Sequence, residues 1–274
     1  MPSLLIVVPT LDSHLLLPHL VESLQQQSWT SWRVQFIDGP SGLEHRQWLE
    51  HCCRVEPRCH WVQQAPSHPG IFGAMTQGFK MAQAEDWVLF WGSDDWAATP
   101  DVLSQLMAVV PSQDPRQPSP DLVVCQGRYA DSQGLLGRRS AFGMLPVLGL
   151  NDGAASHDLN AIGYRRRLFL GATPPHQATL FGPGAIRRLQ AYNEGLRLTA
   201  DLDYFLRLSR MKPIRIRLLD LELVHMADSG VSGQQTRRRL QEVRCCYRCA
   251  FGWSWWVPFL TRYARRLVSR FINS

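Results

Sequence analysis

Apolar residues recur along this chain with two different periods. Leu4, Leu5, Ile6, Val7 and Val8 form an unbroken apolar run stopped by Pro9, the pattern of a strand buried on both faces, as in a parallel sheet. Residues 15–26 follow with helical spacing, and the alternation repeats: strands over 33–37, 60–63 and 87–91, helices over 43–54, 70–84 and 100–110. Strand and helix in turn, joined by short connections rich in Gly, Pro and Ser, imply right-handed βαβ crossovers. The first 110 residues therefore predict an α/β fold with a mostly parallel sheet flanked by helices.

The second half is less regular. Residues 111–120 carry four prolines and no apolar period, which reads as a loop closing the repetitive part. A strand resumes over 122–125, whereas 127–160 is Gly-rich and irregular and reads as β-hairpins or a mobile flap. Further strands are expected over 179–181 and 214–218, and helices over 183–192, with Pro at its start, and over 201–211. There is no internal repeat. Two parts are expected: a domain over 1–230, with halves 1–110 and 121–230, and a tail over 231–274.

Composition sharpens this division. With 274 residues, 45% hydrophobic and 19% charged, the chain can bury a sizeable core, and a disordered protein is excluded. Its net charge of +6 is uneven, because nine arginines against Glu242 alone give residues 231–274 a local +8 and leave −2 on residues 1–230. The domain is mildly acidic, so the basicity belongs to the tail and nucleic acid is not the expected partner. The start, Met1-Pro2-Ser3-Leu4, lacks a charged leader, and no stretch approaches the ~18 apolar residues of a membrane span. A cytoplasmic protein is expected, with its seven cysteines as thiols.

In an open α/β sheet, ligands bind beyond the carboxyl ends of the strands. The polar residues there are Thr10 and Asp12 after Pro9, then Asp38 before Gly39, then Ser67 and His68, then Ser93, Asp94 and Asp95. Adjacent carboxylates after an apolar strand repel each other, and a divalent cation or a ribose hydroxyl pair would relieve them. Without further context, Ser93 or Asp94 reads as a helix cap and Asp38 as a turn acid.

The context supplies more. Val8-Pro9-Thr10, Phe36-Ile37-Asp38-Gly39 with Ser41, Gly70-Ile71-Phe72-Gly73-Ala74-Met75 and the segment 87–96 occur in an order that resembles family 2 glycosyltransferases. The resemblance resumes at His176-Gln177-Ala178-Thr179, at Thr199-Ala200-Asp201-Leu202-Asp203 and at Gly230-Val231-Ser232. It implies a GT-A fold, Rossmann-like, with nucleotide-sugar-binding and acceptor halves, in an inverting enzyme of the bacterial cell-surface polysaccharide type. The implied donor is a UDP, GDP or dTDP sugar, and the acceptor a hydroxyl of a glycan or lipid-linked carrier. Pro9, Thr10, Asp12, Asp38, Asp94 and Ser232 would bind the donor, while Asp95 and His225 would hold Mn2+ or Mg2+. Asp201 would be the general base with Asp203 as its alternative, and His176 and Gln177 would face the acceptor. A hard cation suits such a site because it neutralises the departing diphosphate.

Some positions depart from the family pattern. Leu11-Asp12 follows Pro9-Thr10 where Tyr-Asn or Phe-Asn is usual, the second Asp of the family's Gly-Ser-Thr-Asp turn has no counterpart in Ser41-Gly42-Leu43-Glu44, and His68 stands where an acid often precedes Gly70. A non-catalytic nucleotide-sugar or glycan-binding protein of the same fold is the alternative. In the tail, Leu260, Tyr263, Ala264, Leu267 and Phe271 share one helical face and Arg262, Arg265, Arg266 and Arg270 the other. That pattern fits equally an interfacial helix on an anionic membrane, placing the protein on the inner face, and a helix packed on the domain or in a homodimer.

Overall fold

A computed structural model describes residues 3–110, 119–131, 133–143, 156–211, 213–228 and 235–272. The first half follows the sequence pattern: β1 (Ser3–Thr10), α1 (Leu17–Gln25), β2 (Trp32–Asp38), α2 (Leu43–Val55), β3 (Cys59–Gln63), α3 (Gly70–Met81) and β4 (Asp86–Phe90). Strands β2, β1 and β4 are parallel neighbours, with β3 outside β2. Leu4 to Val8 and Val88 to Phe90 are fully or almost fully buried, because helices cover both faces of the sheet. Val7 marks how closely they do so. A Cβ on Gly78 of α3 would lie 2.5 Å from Val7 Cγ1, so the helix rests directly on the central strand.

The second half extends the same sheet. It comprises β5 (Asp95–Ala97), α4 (Val102–Val109), β6 (Leu122–Ala130), β7 (Leu136–Ser140), β8 (Ser156–Leu159), α5 (Ala161–Phe169), β9 (Thr179–Phe181), α6 (Pro183–Arg188), α7 (Ala200–Leu208) and β10 (Ile216–Ala227). The order β3-β2-β1-β4-β9-β6-β10-β5 is mostly parallel, with β9 wedged antiparallel between β4 and β6 and β5 antiparallel on β10. Asn160 caps α5, its side chain accepting from the Gly163 N–H at 2.9 Å.

Several expectations change. Strand β10 runs to Ala227 rather than ending at 218, because Leu223, Val224 and Met226 are buried while Leu221 and Glu222 are half-exposed; the polar interruption hid its continuation. The irregular stretch after 127 includes the end of β6 and strands β7 and β8, while residues 144–155 lie outside the described chain. Helix α6 stops at Arg188, short of the expected 192. Helix α5 and strand β5 were not visible in the apolar pattern.

The tail forms α8 (Thr236–Phe251), a 3-10 turn (Gly252–Trp255) and α9 (Trp256–Ile272). Val243, Cys246, Tyr247 and Ala250 of α8 belong to the same hydrophobic cluster as Tyr204 and Phe205 of α7, so α8 packs on the domain. Close packing at Gly78 yields a stability test. Gly78→Val drives two methyl groups into buried Val7 and should cost roughly 1–3 kcal/mol, read as a lower urea midpoint at unchanged m-value.

Candidate active site

The register of β1 against β2 sets Thr10 opposite Asp38 at the carboxyl ends of both strands. Asp38 is fully buried, and its Oδ1 accepts from Thr10 Oγ1 at 3.0 Å and Ser41 Oγ at 2.6 Å. His45 Nε2, equally buried, lies 3.1 Å from the same oxygen. Burial lowers the His45 pKa, against the pull of Asp38. Asp38 Oδ2 has no hydrogen-bond partner among the described residues, and the Arg46 Nε cation is 3.9 Å away. A buried carboxylate oxygen left without a donor costs free energy unless a ligand supplies one. His45, on α2, was missed from the sequence; a histidine among polar helix positions carries no signal of a buried partner on the preceding strand.

Asp12 does something else. At φ +47° it adopts the left-handed conformation that Asp tolerates better than most residues. Its Oδ1 accepts from the Gly42 N–H at 2.7 Å and its own N–H donates to Ser41 Oγ at 3.0 Å. It therefore ties the loop after β1 to the loop after β2. Pro9 is half-buried beside them, its carbonyl accepting from Ser93 Oγ at 3.3 Å.

The paired acids after β4 have divided environments. Asp95 is 3% exposed, and its Oδ2 accepts from the Gly92 N–H. Burial raises its pKa to about 8, the Gly92 N–H opposing this and the Asp94 charge adding to it. Asp94 is half-exposed. A Cβ on Gly92 would meet Asp94 Oδ1 at 2.7 Å, so glycine at 92 leaves the space that this carboxylate occupies.

The expected metal pair, Asp95 with His225, is not brought together. Asp95 stands opposite Met226 across the β5–β10 ladder, while His225 stands opposite Trp96, and neighbours along a strand point to opposite faces. His225 packs edge-on against Trp96 and shares a 2.9 Å hydrogen bond with Glu222. Glu222 is itself paired with Arg128 at 2.9 Å. Among the described residues no three His, Cys, Asp or Glu side chains converge as a metal cluster. Ser232 lies outside the described residues.

The base candidates sit in the first turn of α7. Asp203 is ion-paired with Arg207 at 2.7 Å. Asp201 is half-exposed and has no side-chain hydrogen bond or ion pair among the described residues. His176 is buried, shares a 2.7 Å hydrogen bond with Tyr192 Oη, and packs against Phe90 and Phe181. Burial lowers its pKa to about 4, although the Asp201 charge pulls the other way, so at neutral pH the ring is uncharged. The carbonyl of Gln177 accepts from Trp91 Nε1 at 3.0 Å, which fixes this segment over β4.

Glu242 of α8 positions the start of α7. Its Oε2 accepts from the Leu198 N–H at 2.9 Å and from Thr199 Oγ1 at 3.3 Å, and its Oε1 accepts from the Arg197 N–H at 3.2 Å and Arg238 Nε at 2.9 Å. A lone acid in a basic tail gave no sign in sequence of this reach. A separate cleft of about 260 Å3, lined by His19, Glu22, Trp96 and Thr99 among others, includes none of Asp38, Asp94 and Asp201.

Polar groups are gathered at the carboxyl edge of the sheet, where open α/β folds bind their ligands. The sequence model of glycosyl transferase family 2 matches residues 5–153. The chain belongs to that family and is a glycosyltransferase. It is 24% identical over 208 residues to a PGL/p-HBAD biosynthesis glycosyltransferase of Mycobacterium bovis (strain BCG / Pasteur 1173P2), spanning 75% of this chain and 69% of that protein. A protein of the same description from Mycobacterium tuberculosis (strain ATCC 25177 / H37Ra) matches with the same figures.

Among solved structures, S. aureus TarS 1–349 superposes with a TM-score of 0.67 at 16% identity, covering 97% of this chain and 72% of that one. TarS 1–349 in complex with UDP-GlcNAc gives 0.65 at 15% identity, over 97% and 73%. The mannosyltransferase PcManGT from Pyrobaculum calidifontis, in complex with GDP-Man and Mn2+, gives 0.59 at 13% identity, over 100% and 76%. These likenesses establish the GT-A fold.

His176 supplies a pH test. Its folded pKa of about 4 lies below the ordinary value of 6.5, so between these values the unfolded chain binds a proton that the folded chain does not. Stability should fall as pH drops from 6.5 towards 4, by at most about 1.4 kcal/mol per pH unit from this residue. His176→Gln should remove that share of the slope in urea titrations run at several pH values.

Proposed function

We propose that the protein transfers a sugar from a nucleoside diphosphate sugar to a hydroxyl of a glycan or lipid-linked acceptor, with inversion, using Asp201 as general base. The observation that carries this reading is the contrast within one helical turn: Asp203 is neutralised by Arg207, while Asp201 is unpaired and half-exposed. A half-exposed carboxylate whose oxygens are not used by an internal donor can take the proton of an acceptor hydroxyl.

Each residue has a task in this scheme. Asp38 Oδ2 accepts from an N–H of the nucleobase, with Thr10 and Ser41 holding the other oxygen in place. Asp94, open beside Gly92, faces the diphosphate, and Asp95 holds the turn that presents it. A divalent cation fits this turn: Asp94 offers one hard carboxylate, and phosphate oxygens and water complete the kind of shell that Mg2+ or Mn2+ takes. When bound, the cation neutralises charge on the departing diphosphate.

Asp201 takes the proton of the acceptor hydroxyl as that oxygen bonds to the anomeric carbon. The bond from that carbon to the diphosphate oxygen breaks on the opposite face. His176, uncharged, and Gln177 form the wall on the acceptor side. The similarity to enzymes solved with UDP-GlcNAc and with GDP-Man supports a UDP or GDP donor, and dTDP sugars remain in the test set.

Binding and hydrolysis of UDP, GDP and dTDP sugars with Mn2+ test the reading, and failure of all three classes to bind or react would refute it. Asp201→Asn should lower turnover by about 100- to 10,000-fold while donor affinity stays near wild type. Asp94→Asn should instead weaken Mn2+-dependent donor binding in calorimetry. Asp95→Asn, whose amide oxygen still accepts from Gly92, should bind donor better than Asp94→Asn.

A further inference from the structure

Helix α9 lies on the domain with Arg262 and Arg265 turned inwards. Arg262 donates to Thr173 Oγ1 and Arg265 to the Gly143 carbonyl. The approach is close, because a Cβ on Gly171 would come within 2.4 Å of the Arg262 backbone nitrogen. Pro258 is buried, and Phe259 packs on the core cluster. The expected orientation, with these two arginines solvated, is therefore reversed. Their fixed donors and long aliphatic stems make them suitable packing residues.

The consequence lies on the other face. Trp253 is 85% exposed, Trp256 49%, Leu260 58% and Leu267 57%, and Ala264 between the two leucines is exposed as well. Within α9, spacings of four, four and three residues from Trp256 to Leu267 put these side chains in one stripe about 17 Å long, and Trp253 precedes it in the 3-10 turn. An apolar stripe of this length facing water is a surface built to be covered.

We propose that this stripe is a docking surface for an anionic lipid bilayer, on which the helix lies flat. Charge selects this occupant. The tail carries +8, its sole acid, Glu242, is buried against Arg238 and the start of α7, and Arg237, Arg244 and Arg248 are exposed. Arg244 sits over the Trp255 ring at 4.9 Å, next to the tryptophan end of the stripe. Tryptophan at the headgroup level, leucine below it and arginine beside it is the arrangement of an interfacial helix, and each cation near the surface adds attraction to anionic lipid.

A second copy fits less well. Pairing two stripes would bring two tails of like charge together, and five side chains fall short of the roughly 20–30 residues a side of a stable interface. No described helix is long and apolar enough to cross a membrane, so the surface is one for lying on the bilayer. Docking there would also orient the site, since α8 joins α9 to α7 through Glu242.

Flotation of the full-length protein with phosphatidylcholine vesicles, with and without phosphatidylglycerol, tests the proposal. The wild type should float with the anionic vesicles, less so at high salt, and weakly with the zwitterionic ones. Trp253→Ser/Leu260→Ser should lower the partition at least about tenfold, and Leu267→Glu, a second exposed-site variant, should do the same, both with unchanged thermal midpoints. No flotation of the wild type, or equal flotation of the variants, would overturn the proposal. So would a dimer in sedimentation equilibrium that these variants dissociate without any vesicle binding by the wild type.

Discussion

The central strands β1 and β4 are buried on both faces, and this constraint organises the rest of the molecule. Their backbone groups pair in the ladder, and their side chains from Leu4 to Val8 and Val88 to Phe90 are fully or almost fully buried. Polar chemistry is thereby expelled to the strand ends, where Thr10, Asp38 and the turn 92–95 converge through register rather than through proximity in sequence. The same burial sets the character of each acid. Asp95, drawn under the sheet edge, has its pKa raised to about 8 by loss of solvent, while Asp94, one residue earlier, keeps contact with water. Adjacent acids of identical chemistry thus stand in separate environments, one holding a turn and the other open to solvent.

The second organising element is Glu242. Its carboxylate accepts from three groups of the segment before α7 and from Arg238, satisfying backbone donors that lie outside any helix or strand. Burial works against its ionisation, yet the Arg238 guanidinium and these donors keep its pKa below the usual carboxylate value. Helix α8 therefore holds the segment that leads into α7, although composition alone makes it look like an appendage. With α9 packed through Arg262 and Arg265, the basic tail divides into inward arginines that hold structure and outward ones that leave the surface positive.

Much of the first half was legible in sequence because apolar runs buried on both faces are unambiguous, and the motif blocks lie at strand ends where their spacing is preserved. The sequence was least informative where contacts join distant segments. His45 reaches Asp38 from α2, Tyr192 reaches His176 from beyond α6, and Glu242 reaches Thr199 across 43 residues. Adjacent Asp94 and Asp95 could not be ranked without the register that turns Asp95 towards the side of Met226. The amphipathic period of α9 was plain, but a period does not say which face meets protein.

The account rests on Asp201 deprotonating an acceptor hydroxyl that attacks opposite the departing diphosphate. The most direct measurement is the anomeric configuration of the product, read by NMR from the coupling constant of the new glycosidic bond formed from a donor of known configuration. An α-linked donor should yield a β-linked product. An α-linked product would mean retention, and would contradict single-step displacement with Asp201 as base.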